Sequence, residues 1–305
     1  MTRDPNGEPH GAQEPHGRRF WTAGSDRVVS LDPFAIMGVV NVTPDSFSDG
    51  GQFANAEEAA QYALQLVEEG ATIIDIGGES TRPGAARIDA EEQVRRVVPV
   101  IARVRTHSGV AISVDTTLAA VAEAALEAGA DIVNDVSAGC EDPAMLPLVA
   151  RKGAGLILMH RLAPPGEDSY SDRYAEPPVY DDVVREVASY LLARADMAMA
   201  AGVAREMIAL DPGLGFGKSV TQNYELIART GELVALGFPV LVGASRKSFV
   251  GAVTGRQDPE QRIIGSVVAA VAAYGGGARI LRAHDVGAHR EGLQVARAVL
   301  RGAGL

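Results

Sequence analysis

From Ala35 onward the chain repeats one pattern about every thirty residues: a short β-branched apolar run, a loop holding Asp, Asn, Gly or Ser, and an Ala-rich stretch with apolar residues at helical spacing. The runs expected to be strands are Ala35–Val42, Thr72–Gly77, Val110–Val114, Asp131–Val136, Gly155–Met159, Ile208–Leu210, Val240–Gly243 and Arg279–Leu281. Helical periodicity fills the intervals at Glu57–Glu69, Ala90–Arg105, Leu118–Ala128, Tyr180–Ala201, Tyr224–Leu236, Pro259–Ala273 and Gly287–Arg301. Continuous apolar runs suit strands covered on both faces by helices, as in a parallel sheet. Eight strand–helix units of this kind predict an α/β fold, a single (β/α)₈ or TIM barrel. Ahead of the first unit, Arg27–Leu31 reads as a short strand closing the barrel bottom. The first residues are rich in Pro, Gly, His and charge and have no apolar centre, unlike a secretory signal. Residues 1–24 therefore read as a disordered polar tail and 25–305 as the barrel.

The polar residues fall at one place in every unit. In order they are Asn41, Asp75, Asp115, Asn134 with Asp135, His160, Asp211, Ser245 to Lys247, and Arg282 with His284. All lie at or just past the carboxyl end of an expected strand, which is the catalytic face of such barrels. Asp135 and Asp285 are the members expected to cap the following helix instead.

Composition narrows the classes of function. A formal charge of −11 argues against a nucleic-acid partner, and no apolar run is long enough to span a membrane. The single cysteine, Cys140, excludes an intrachain disulfide framework and a cysteine-based zinc cage, and suits a reducing, cytoplasmic compartment. The six histidines are scattered and show neither HxH nor His-Glu-x-x-His spacing.

Several loops carry candidate chemistry. Asn41 ends the first run with an amide oxygen suited to Mg²⁺, and the loop after it holds Asp45, Phe47, Asp49 and a double glycine, Asp49 reading as a turn residue. After Asp75 come Gly77 and Gly78, which would let backbone approach a ligand, and Thr81-Arg82-Pro83, a hydroxyl and a fork of donors. Asp115, Asn134 and Asp211, on three strands of one barrel, need donors, and a heterocycle with an amino-amidine edge supplies two side by side. Asp211 to Ser219 resembles a nucleotide phosphate loop, but Pro212 stands where that motif needs glycine, so the run reads as a glycine loop with Phe216 able to cover an aromatic ligand. Ser245-Arg246-Lys247-Ser248 places two cations and two hydroxyls ahead of a helix-like segment, a place for an anion or an electron-rich ring. Arg282 and His284 alternate onto one side of the last strand, beside Asn41, and form a corner suited to a diphosphate.

Together, Asn41 to Gly51, Asp75 to Gly84, Asp211 to Gly217 and Ser245 to Ser248 resemble the signature loops of the dihydropteroate synthases. That family joins a pterin carrying a methyl diphosphate to 4-aminobenzoate, giving dihydropteroate and pyrophosphate on the folate pathway with Mg²⁺. The resemblance implies that Asp115, Asn134, Asp211 and Lys247 hold the pterin, that Met159 and Phe216 flank it, and that Asp75 sits near the reacting end. It implies further that Asn41, Arg282 and His284 hold the diphosphate, Asn41 also the metal, and that Phe47, Thr81, Arg82, Pro83 and Ser248 shape the aminobenzoate pocket. Asp75, Asp115, Lys247 and Arg282 are the expected catalytic residues. A homodimer through the last helices, small-molecule substrates and no nucleic-acid or membrane partner complete the expectation. A pterin-dependent methyltransferase and a non-catalytic pterin-binding paralogue are the alternatives. One region departs from the family pattern: after His160 the chain runs through Arg161–Pro178, where the family has a shorter Gly-x-Pro-x-x-Met-Gln segment.

Overall fold

In a computed structural model, which describes residues 19–43 and 52–301, the expected barrel is present. The chain opens with β1 (Phe20–Gly24) and β2 (Arg27–Ser30), then alternates: β3 (Ala35–Asn41), α1 (Gln52–Glu69), β4 (Ile73–Gly77), α2 (Ala90–His107), β5 (Ala111–Asp115), α3 (Ala119–Glu127), β6 (Ile132–Asp135) and α4 (Met145–Lys152). It continues with β7 (Gly155–Met159), α5 (Val183–Ala200), β8 (Ile208–Asp211), α6 (Val220–Ala228), α7 (Thr230–Val234), β9 (Leu241–Val242), α8 (Ser248–Thr254), α9 (Ile263–Gly275), β10 (Ile280–Ala283) and α10 (Val286–Arg301). Strands β3 to β10 lie parallel in the order β8-β7-β6-β5-β4-β3-β10-β9, and a bridge between Leu210 and Val240 brings β8 against the start of β9 to close the ring.

The alternation of side chains along each strand decides where the chemistry goes. Ala35, Ile73, Ala111, Ile132, Ile157, Ala209, Leu241 and Ile280, one from each strand, pack together as the floor of the barrel interior. Their sequence neighbours Ile36, Ile74, Ile112, Val133, Leu156, Leu158, Ile208 and Leu210 point outward and pack with the helices. Because the period is two, Asp75, Asn134, Met159, Asp211 and Arg282 stand one inward step above that floor, and Asp115 stands two steps above Ala111. The pairing registers Asp75↔Ser113, Asp115↔Asn134 and Met159↔Asp211 bring these inward residues level across neighbouring strands.

Three local expectations need correction. The tail does not extend to residue 24: β1 pairs antiparallel with β2, and Trp21, Ala23, Val29 and Leu31 plug the barrel floor. The apolar pattern here is only two inward residues per strand, which is too short to stand out in the sequence. The stretch expected as one helix over Tyr224–Leu236 is two, because at their junction Thr230 turns its hydroxyl back onto the carbonyls of Leu226 (3.1 Å) and Ile227 (2.8 Å). Helix α4 was absent from the expected pattern, since Met145–Lys152 is short and carries Pro147 in its first turn. Among the described residues, no helix is long and apolar enough to cross a membrane.

Candidate active site

At the carboxyl ends of the strands, Arg282 ties the two acids of neighbouring strands together. Its Nε donates to Asp75 Oδ2 at 2.7 Å and one terminal nitrogen to Asp115 Oδ2 at 3.1 Å. Asn134 Nδ2 donates to the same Asp75 oxygen at 3.1 Å. Asp75 is wholly buried, and its other oxygen, like Oδ1 of Asp115, has no protein partner. Two buried carboxylates sharing one guanidinium are short of donors. Burial, reinforced by the Asp75 charge, accordingly pushes the Asp115 carboxyl up to about 7.

Across the mouth, Asp211 accepts from the Gly213 N–H at 2.7 Å, and burial raises its carboxyl above the ordinary range. The glycine run that follows is a built loop: Gly213, Gly215 and Gly217 all have positive φ, and a Cβ on Gly213 would lie 1.9 Å from the His160 carbonyl oxygen. Phe216, carried by this loop, packs with Met159 and Val136 in a small apolar cluster, and Lys247 Nζ lies 4.0 Å from its ring centroid. Burial, together with the nearby Arg282, holds the Lys247 ammonium down to about 8.

The four residues Ser245 to Ser248 divide their work. Arg246 has φ of +60° and sends its guanidinium to Asp285, with bonds of 2.7 and 3.0 Å, while Lys247 turns to the Phe216 side. Of the two cations expected at this turn, Arg246 is thus held in an ion pair, and Asp285, expected as a helix cap, gives its carboxylate to Arg246 instead. Asp135 does not cap the following helix, whose N-cap is Ala144; pointing outward, it instead closes the turn after β6, accepting from the Ser137 N–H, the Ser137 hydroxyl and the Gly139 N–H, each at 2.7 Å. His284 meets the Ser245 hydroxyl through its backbone N–H and its Nδ1, both at 3.1 Å. Burial and the nearby Arg282 push its imidazole down to about 3, so in the free protein His284 is neutral and offers a hydrogen bond rather than charge.

A cavity of about 800 Å³ opens above this floor, bordered by Asn41, Thr81, Arg82, Pro83, Phe216, Lys247, Ser248, Arg282 and His284. Asp115 borders a smaller neighbouring pocket of about 140 Å³ with Thr81 and Val136. Asp75, Asn134, Met159 and Asp211 border neither and lie beneath them. Phe47, and with it Asp45 and Asp49, lies outside the described residues. The two glycines after Asp75 serve packing: a Cβ on Gly78 would come within 3.0 Å of Val97 and 3.2 Å of the Gln93 carbonyl on α2, and one on Gly77 would lie 3.4 Å from Asp115 Cβ.

One residue of the site was missed from the sequence. Lys218, dismissed with the phosphate-loop resemblance, is completely buried, and its ammonium donates to His160 Nδ1 (2.9 Å) and to the carbonyls of Phe216 (2.8 Å), Gly213 (3.0 Å) and His160 (3.3 Å). Burial and the lysine charge hold His160 down to about 3, so its neutral ring accepts the lysine proton bond. Lys218 thus pins the loop that follows Asp211 and carries Phe216. The only sequence signal was the lysine itself, directly after the last glycine of the run.

The comparisons with known proteins agree with this geometry. A profile of the family described as "Pterin binding enzyme" matches residues 37–284. The chain is 46% identical over 277 residues to a dihydropteroate synthase of Mycobacterium leprae (strain TN), an alignment covering 89% of this chain and 95% of that one. Among solved structures, the dihydropteroate synthase of Xanthomonas albilineans with 4-aminobenzoic acid superposes with a TM-score of 0.85 at 44% identity, covering 93% of this chain and 99% of that one. The same enzyme in complex with 7,8-dihydropteroate superposes with a TM-score of 0.82 at 42% identity, with the same coverage of both chains. With the carboxylates, the lysine and the glycine loop standing where the motifs placed them, and with similarity running the length of the barrel, the chain belongs to the dihydropteroate synthase family of pterin-binding enzymes.

Proposed function

We propose that the protein condenses 6-hydroxymethyl-7,8-dihydropterin diphosphate with 4-aminobenzoate, releasing pyrophosphate and 7,8-dihydropteroate. The observation that carries this reading is the pair of donor-starved oxygens on Asp75 and Asp115, buried beside a cavity rimmed by Arg282, Lys247 and His284. Such a place suits a heterocycle rich in N–H groups joined to an anionic tail. In the free protein the fork of Arg282 occupies Asp115 as a stand-in for the pterin edge. When the pterin takes over Asp115, that donor is released toward the diphosphate, while Asp75 still holds Nε and orients Arg282 and Asn134. Asp75 acts through these two neighbours, since it is buried beneath them.

The carbon–oxygen bond breaks with its electron pair leaving on pyrophosphate, and the amine lone pair forms the carbon–nitrogen bond. The anilinium then loses a proton to solvent or to the departing pyrophosphate. No strong base is needed, and the protein's tasks are positioning and stabilising charge on the leaving group. Arg282 and the His284 hydrogen bond face the diphosphate, Asp115, Asn134 and Asp211 read the pterin, and Lys247 with Phe216 and Met159 encloses it. Among the described residues no three His, Cys, Asp or Glu gather into a metal cage, whereas the Asn41 amide borders the cavity. This donor set fits Mg²⁺, a hard ion that takes most of its ligands from phosphate and water. When bound, the ion would offset charge developing on the diphosphate.

Thr81, Arg82, Pro83 and Ser248 border the same cavity, and a pterin methyltransferase has no use for them. Incubation with both substrates and Mg²⁺ tests the reading directly. Stoichiometric pyrophosphate and dihydropteroate are expected, whereas tight pterin binding without turnover would mark a non-catalytic paralogue. Exposed Ile264 and Val268 on α9 and Val295 and Val299 on α10 support a homodimer through the last helices, which a monomeric sedimentation coefficient would overturn.

Binding is expected to be ordered. Thr81 and Arg82 sit in an irregular segment after β4, and diphosphate with Mg²⁺ would draw them toward Asn41. A site whose competent arrangement is rarely populated binds weakly in proportion. Titrating 4-aminobenzoate should give measurable affinity with pyrophosphate and Mg²⁺ and little without them, and removing Mg²⁺ with a chelator should abolish it. Equal affinity in all conditions would overturn the order.

A further inference from the structure

The segment 161–178, which departs from the family pattern, is wired into three walls of the cavity. The Pro165 carbonyl accepts from the Gly84 N–H at 2.8 Å, next to Thr81–Pro83. Asp168 Oδ2 accepts from the Gly217 N–H at 2.9 Å, next to Phe216, and the Tyr174 hydroxyl donates to the same carboxylate. The Ser171 N–H donates to the Ser248 hydroxyl at 3.2 Å, while its own hydroxyl accepts from the fully buried Asn223 amide at 3.0 Å. Asn223 in turn accepts from the Gly215 N–H at 2.6 Å. A segment held at so many points presents its side chains in defined positions.

One of those side chains, Tyr170, borders the cavity together with Thr81, Arg82, Pro83 and Ser248. The Arg173 guanidinium lies over its ring, 5.1 Å from the centroid, a contact that helps hold the ring. A flat aromatic wall beside the Arg82 guanidinium and the Ser248 hydroxyl suits an aromatic amine that carries an anionic substituent. We infer that Tyr170 is a specificity-determining wall of the amine-substrate pocket, contributed by a segment outside the family's signature loops. This rests on the function proposed above.

The test compares Tyr170→Ala and Tyr170→Phe with the parent protein in steady-state turnover, varying each substrate in turn. Loss of an aromatic contact of about 1 kcal/mol corresponds to roughly a fivefold change in affinity. Tyr170→Ala should raise KM for 4-aminobenzoate and the inhibition constant of a competing sulfonamide by that factor. KM for the pterin diphosphate should hold, and Tyr170→Phe, which keeps the ring, should rescue the amine KM. Unaltered amine KM in Tyr170→Ala, or equal rises in both KM values with a lowered Tm, would overturn the assignment. Failure of the parent protein to form dihydropteroate would instead refute the reaction, and the subsite with it.

Discussion

Replacing Asp211 with Asn is expected to weaken pterin binding by about 1–3 kcal/mol or more, roughly fivefold to more than a hundredfold, while leaving the barrel folded. The carboxylate already accepts the Gly213 N–H with one oxygen, and the amino-amidine edge of a pterin would bring donors to the other. An amide turns one of those acceptors into a donor. Either the Gly213 N–H or a pterin N–H then meets an N–H, in a place closed to water. Calorimetry with the pterin on a variant of unchanged Tm reads the loss, and undiminished affinity would remove Asp211 from the site.

Lys247→Met is expected to cost turnover a hundredfold or more, an order of magnitude typical of removing one group aimed at developing charge or holding a reacting ring. Stability should stay level or rise slightly. A lysine whose folded pKa is lowered to about 8 opposes folding at pH values where it is charged in both states, and this cost fades as pH rises toward the ordinary lysine value. Activity gives the opposite limb. Above about 8 the ammonium is neutral, and below about 7 the Asp115 carboxyl is protonated and presents a donor to the donors of the pterin. The profile of kcat/KM for the pterin substrate, which reports the free enzyme, should therefore be a narrow bell between these values. In Lys247→Met the alkaline limb should vanish from the residual activity. Normal activity of that variant would return Ser245 to Ser248 to an ordinary surface turn.

Much of the site was legible before any coordinates because parallel barrels put one face of chemistry at one end. Asn41, Asp75, Asp115, Asn134, Asp211 and Arg282 each interrupt an apolar run, and an acid or amide there has few places to go but the mouth. What the pattern did not settle were charges near that mouth. His284 was expected beside Arg282 and Asn41 in a corner suited to a diphosphate, and the depth of its ring and the neighbouring Arg282 keep it neutral there. Arg246 and Lys247 are adjacent in sequence, but one left-handed residue sends the first to Asp285 and the second to Phe216. Lys218 was discarded because its motif failed, although burial had given it a different task.

By itself the sequence determined the barrel, its eight units and the strand-end positions of the site, because hydrophobic period and strand alternation are local properties that a single chain displays. Tertiary structure alone decided how those residues pair. Arg282 reaches Asp75 and Asp115 across 207 and 167 positions of chain, Tyr170 reaches the cavity through a segment without any signature, and Trp21 plugs the floor from what reads as tail. Such contacts depend on strand register and on closure of the ring, and the cost or gain of each charge depends on the burial that closure creates.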